Sequence, residues 1–69
     1  MSRRRRHNPG VGFEVRMGQY PSESIKPNRE NNRKYLKLIW TAATLPDAKF
    51  IAQTFAKEHP TMVITVDRA

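Results

Sequence analysis

Between Thr44 and Pro60 the chain carries one complete helix signature, and a single helix can cover only one face of whatever sheet the other residues build. The start is Thr44-Leu45-Pro46-Asp47. Thr44 can cap, Pro46 is tolerated in a first turn where backbone N–H groups lack intrahelical partners, and Asp47 stands where a capping-box acid reaches back. Its carboxylate also suits the positive end of the helix dipole. Ala48, Ile51, Ala52, Phe55 and Ala56 then recur at three and four, an apolar stripe for a core. His59 and Pro60 close the segment after about 13 to 15 residues. The small Ala positions let this helix lie close against a sheet.

The other periodic segments alternate in twos, the mark of strands. In the first, residues 11–17, Val11, Phe13, Val15 and Met17 share one face and Glu14 and Arg16 the other. In the second, residues 33–43, Leu36, Leu38 and Trp40 share one face. Tyr35, Lys37, Ile39 and Thr41 share the opposite one, which is unusually apolar for an outward face. In the third, residues 61–68, Met62, Ile64 and Val66 oppose Thr61, Val63, Thr65 and Asp67. Residues 18–32 carry Pro21, Pro27, two Ser and three Asn without a period, and read as a loop with Tyr20 and Ile25 as its anchors. At about 15 residues this connection is long, against a median of roughly 4 to 6.

These segments predict an α+β domain over residues 11–69, a three-stranded sheet with one helix packed on one face, in the order ββαβ. The link from the second strand through the helix to the third has the length of a right-handed crossover, which predicts that those two strands pair in parallel. The first strand is expected to join antiparallel. A chain of 69 residues buries only about 60% of its unfolded surface, so its stability should be marginal.

Charge is unevenly placed. There are 13 Lys+Arg against 6 Asp+Glu, a formal charge of +7, and Arg3, Arg4, Arg5 and Arg6 form one run without which it falls to +3. Residues 1–10, with Pro9 and Gly10 and nothing to pack, are expected to be a disordered basic arm. The arm suits a tether for phosphate or for an acidic protein surface; its plainer reading is a solubilising tail. The same charge would also serve as a nuclear-localisation signal.

With no Cys, the chain has no disulfide framework, redox pair or thiolate zinc site. No apolar run approaches the roughly 18 to 20 residues of a membrane span, since Tyr35 to Trp40 is interrupted by Lys37. Met1 to Arg6 lacks the apolar stretch of a secretory signal, so a cytoplasmic location and no membrane partner are expected.

Catalysis needs a nucleophile, a base and a stabilising group that converge. Here Glu14, Glu23, Glu30, Asp47, Glu58 and Asp67 fall singly on separate elements. His7 lies in the arm, and His59 suits the negative end of its helix. No metal, P-loop or Gly-rich phosphate motif is present. The expectation is a protein that is not an enzyme, with no catalytic residue, no metal, no cofactor and no small-molecule substrate.

Binding remains. For nucleic acid, Arg3 to Arg6 could neutralise phosphates, Arg16, Lys34 and Lys37 could extend the patch over an open sheet face, and Tyr35 could stack on a base. Against this stand a charge of only +3 outside the arm and a single aromatic on that face. For protein, Phe50 projects away from the Ala48/Ile51/Phe55 stripe at the angle of Lys57, an aromatic where binding hot spots favour one, unless the first strand or the loop folds over it. The face bearing Arg16, Tyr35, Ile39 and Val63 is a second candidate, unless residues 19–32 cover it. The candidate partner-binding residues are therefore Arg3, Arg4, Arg5, Arg6, Arg16, Tyr35, Lys37 and Phe50. A homo-oligomer formed through the open face is a third reading, and the sheet edges are open to strand addition.

Lys34-Tyr35-Leu36-Lys37-Leu38-Ile39-Trp40, Thr44-Leu45-Pro46-Asp47-Ala48 and Thr61-Met62-Val63-Ile64-Thr65-Val66 carry a resemblance to small phage-encoded regulators that bind bacterial RNA polymerase. The likeness covers residues 33–68, and the whole sequence looks like the Xanthomonas phage transcription regulators. The resemblance implies binding to the polymerase β or β′ subunit, with inhibition of initiation or altered termination and antitermination, in a host bacterial cytoplasm. The coliphage type is acidic where this chain is basic, so no contact residue carries over from it. A nucleic-acid-binding module for RNA or single-stranded DNA, ribosome-associated in one form, is the alternative.

Overall fold

The computed structural model of the chain describes residues 12–69. The elements run β1 (Phe13–Gly18), α1 (Arg29–Tyr35), β2 (Lys37–Ala42), α2 (Leu45–Glu58) and β3 (Val63–Arg68). The class is α+β, a three-stranded antiparallel sheet in the order β2-β1-β3 with two helices. The arm expected at residues 1–10, and Val11, lie outside the described residues.

The second helix of the chain, α2, follows its sequence signature closely. Thr44 is the N-cap and its hydroxyl accepts from the Asp47 N–H at 3.4 Å, with proline in the first turn. Ala48 is fully buried, and α2 contacts all three strands. His59 caps the C-terminus, its N–H donating to the Phe55 carbonyl and its ring stacked on Phe55.

The sheet order corrects the expected parallel pair. β2 and β3 do run in the same direction, as a crossover through α2 requires, but β1 lies between them and pairs antiparallel with both. The long connection after β1 is what permits this, because it lets the chain leave the centre of the sheet and return at one edge. Val15, opposite Trp40 on one side and Val66 on the other, is fully buried at the middle of the domain.

The expected single helix and continuous loop are also corrected, because residues 29–35 form α1. Asn28 caps it, accepting from the Asn31 N–H at 2.7 Å, and the Asn31 amide donates back to the Lys26 carbonyl at 2.9 Å. Glu30 in the first turn and Arg33 and Lys34 in the last complement the dipole. The strand expected from residue 33 therefore begins at Lys37, and Tyr35 is the last helical residue.

α1 covers the sheet face that the one-helix arrangement leaves open. Its Asn32 donates to Asp67 at 2.8 Å and its Arg33 to Glu14 at 3.3 Å, and Glu14 and Asp67 are cross-strand neighbours on that face. β1 is thus covered on both faces, with Val15 buried towards α2 and Glu14 and Arg16 half-buried beneath α1.

A register shift on β2 corrects the shared face expected for Leu36, Leu38 and Trp40. Trp40 pairs with Val15 and Leu38 with Arg16, successive residues of β1 that point to opposite faces, so Ile39 is the extra residue of a bulge. Leu36 is buried at the end of α1, whereas Leu38 and Trp40 stand on an edge strand, 43% and 50% exposed. At the entry to β1, Gly12 has φ +88°, and a Cβ there would meet the Ala42 carbonyl oxygen at 3.0 Å, so only glycine fits.

Candidate protein-docking site

The residues singled out in the sequence do not converge on one surface. Arg3, Arg4, Arg5 and Arg6 lie outside the described residues. Arg16 is beneath α1 with a side chain only 13% exposed, held by the Glu14 carboxylate at 3.5 Å and donating to the Leu36 carbonyl at 3.1 Å. Arg33 shares the same carboxylate, so Glu14 neutralises one buried and one exposed guanidinium. The Nε of Arg16 and the hydroxyl of Thr65, its cross-strand neighbour, are buried without a hydrogen-bond partner. Arg16 is a packing residue here, not part of an exposed cationic patch.

Tyr35 is half-buried at the end of α1, and the Lys34 ammonium sits 5.3 Å from its ring centroid. That cation–π contact covers a face of the ring that base stacking would need. Lys37 is exposed at the start of β2, opposite Met17. Arg29, Arg33, Lys34 and Lys37, all exposed, give α1 and the start of β2 a basic margin that Glu30 offsets only in part.

Phe50 stands apart on α2, on the other side of the sheet from α1. It is 68% exposed, the most exposed of the large apolar side chains among the described residues. Neither β1 nor the loop after it covers the ring. Helical spacing surrounds it with Pro46, Asp47, Gln53 and Thr54, with Lys57 a turn further on, all exposed. The Thr54 hydroxyl donates to the Phe50 carbonyl at 3.0 Å, which holds that rim residue against the helix. An aromatic centre inside a carboxylate, amide, hydroxyl and ammonium rim has the anatomy of a binding hot spot: the ring supplies the area to be desolvated and the rim the satisfiable polar groups.

Sequence periodicity missed three further exposed apolar side chains: Leu38 and Trp40, on opposite faces of β2, and Leu45, 39% exposed at the start of α2. Beside Leu38, on the α1 side of the sheet, lies an open hollow of about 490 Å³ lined by Phe13, Glu14, Leu38, Thr41 and Ala42, among others. The legible signal was charge: no ionisable residue occurs between Lys37 and Asp47.

Among the described residues, no three His, Asp or Glu side chains gather closely enough to hold a metal ion, and no helix is long and apolar enough to cross a membrane. Comparison with protein families, with curated proteins and with solved structures finds no match.

Proposed function

We propose that this chain is a non-enzymatic regulator of bacterial transcription that binds the host RNA polymerase, with the outer face of α2 as its docking surface. The observation that carries the docking surface is Phe50, 68% exposed at the centre of a polar rim on a helix whose other side is committed to the sheet. An aromatic so placed costs solvation in the free protein and gains most when a partner closes over it. The choice of polymerase, at its β or β′ subunit, rests on the resemblance carried by residues 33–68. In this reading Arg3, Arg4, Arg5 and Arg6 steer the encounter with an acidic surface, which acts on association rate, while Phe50 sets the lifetime of the complex. Arg16 is left out of the contact set because Glu14 and the Leu36 carbonyl already hold it.

A nucleic-acid-binding module is the alternative, favoured by the basic margin of Arg29, Arg33, Lys34 and Lys37. The two readings separate in one experiment. Tagged chain is incubated with bacterial lysate treated with nuclease, washed at moderate salt, and the bound proteins are identified by mass spectrometry. Polymerase subunits retained by the wild type and lost with Phe50→Ala are the expected result. Capture that disappears with nuclease, with an affinity falling log-linearly in salt, would replace the polymerase reading with the nucleic-acid one.

A further inference from the structure

We infer that the outer side of α1 is a docking face for the phosphate backbone of nucleic acid, separate from the Phe50 surface and indifferent to base sequence. Lys26, Arg29, Arg33 and Lys34 face only one acid of the same stretch, Glu30, and all five side chains are exposed. The Asn31 amide ties Lys26 to the helix through its carbonyl at 2.9 Å. Residues 26–35 therefore hold a net +3, the whole charge of the chain outside its four-arginine run. Everything else in residues 12–69 balances to zero, α2 included, where Lys49 and Lys57 meet Asp47 and Glu58. The excess charge of the domain is thus gathered on one side of the sheet and the exposed Phe50 stands on the other.

The fold makes little use of these cations. Among the described residues, Arg33 alone of the four meets a carboxylate, Glu14 at 3.3 Å, and Arg16 already shares it. Glu14 and Asp67 are half-buried on the sheet under α1, so the acids of this side face inward and the cations outward. Arg29 is the first residue of α1, at the positive end of the dipole, where an acid stabilises and a cation does not. Arg29 and Arg33 are four apart, a like-charge pair that repels on a helix surface. The helix is about 10 Å long, so its charges lie within about a Debye length of one another and their fields add. A polyanion running along α1 relieves that repulsion at several positions at once.

Two features choose a phosphate backbone over an acidic protein or a lipid surface. α1 has no apolar anchor, since its one aromatic, Tyr35, is half-buried, and both protein hot spots and membrane-surface helices need one. Phosphate contacts need only charge, because the release of condensed counterions drives them. Guanidinium groups also match phosphate oxygens through forked hydrogen bonds. Bases go unread: the Lys34 ammonium, 5.3 Å from the Tyr35 ring centroid, occupies a face on which a base would stack.

The inference goes beyond the polymerase reading without resting on it, and its test uses the full chain and DNA alone. The probes are labelled duplexes of two unrelated sequences, titrated over a range of salt and read by fluorescence anisotropy. The chain should bind both equally, with an affinity that falls log-linearly with salt. Arg29→Gln and Lys34→Gln should each weaken both by about 5-fold near 0.1 M salt and reduce the salt slope by about one, with the circular dichroism unchanged. Arg29→Gln should do so without lowering the melting temperature, because it removes a cation from the positive end of α1. Lys57→Gln takes the same charge from α2 and should leave affinity and slope unchanged, as should Phe50→Ala. A chain with Arg3, Arg4, Arg5 and Arg6 all changed to Gln should bind more weakly and remain sensitive to Arg29→Gln. No binding to either duplex overturns the inference. So does equal weakening by Lys57→Gln, which would mean net charge alone, or loss of all binding with the four-arginine change, which would mean the arm alone. Preference for one sequence, or equal affinity for vesicles rich in phosphatidylserine, overturns it as well.

Discussion

Asn32 is 4% exposed, and its two side-chain ends are both used. The amide nitrogen donates to Asp67 on β3, and the amide oxygen accepts from the Tyr20 hydroxyl in the loop after β1. One polar residue thus ties α1, the loop and the sheet edge together, in place of the apolar stripe that α1 lacks. Asn32→Ala would leave Asp67 and Tyr20 without their partner, at a cost of about 1–3 kcal/mol. Urea unfolding should show this as a lower midpoint at unchanged slope; an unchanged midpoint would mean that water replaces the amide freely. The same network makes stability depend on alkaline pH. Burial of the phenol, and after it the Asp67 carboxylate, push Tyr20 above its ordinary value near 10. The fold therefore favours the neutral phenol, and its contribution is whole below about pH 10 and lost as pH rises through the higher folded value. Urea midpoints measured upward from pH 10 should decline more in the wild type than in Tyr20→Phe. Equal declines would contradict this origin.

Among the elements, α2 and β1 were legible and α1 was not, for a physical reason. α2 turns Ala48, Ile51, Ala52 and Phe55 inward, with Ala56 of the expected stripe exposed, and opens with a side-chain cap, so period and capping chemistry largely agree, and its outward Phe50 followed from the same wheel. Thr44→Ala should lower stability by about 1 kcal/mol, read as a drop in melting temperature. A change within error would show the cap to be replaced by solvent, consistent with its long 3.4 Å bond. α1 contains Arg29-Glu30-Asn31-Asn32-Arg33-Lys34-Tyr35, with no apolar repeat to find. Its signals are Asn28 as a cap and charges matched to the dipole, which resemble loop composition unless the cap is weighed first. β2 was legible as a strand but not in its faces, because a one-residue bulge at Ile39 reverses the alternation and no local preference announces it.

For the whole molecule, the order β2-β1-β3 depends on which edge the returning chain reaches, a property of the folded sheet that segment patterns do not carry. That order decides the surfaces. It buries Arg16, opens Leu38 and Trp40 at an edge, and leaves Phe50 isolated on the far side of α2. Among the candidate residues, the exposure of Phe50 was legible, because its environment is set by its own helix. Arg16, Tyr35 and Lys37 were read as an open sheet face, whereas Arg16 lies beneath α1, Tyr35 ends that helix and Lys37 opens β2. Leu38 and Trp40 at the bulged edge and Phe50 on the outer side of α2 are thus separate exposed apolar positions. The most direct measurement is a titration of purified bacterial RNA polymerase with the wild-type chain and with Phe50→Ala, at two salt concentrations and without nucleic acid. Saturable binding by the wild type, weakened about 30-fold or more by Phe50→Ala with the fold intact, is the expected outcome. Equal affinity of the two proteins, or no binding by either, would contradict the docking surface proposed on α2.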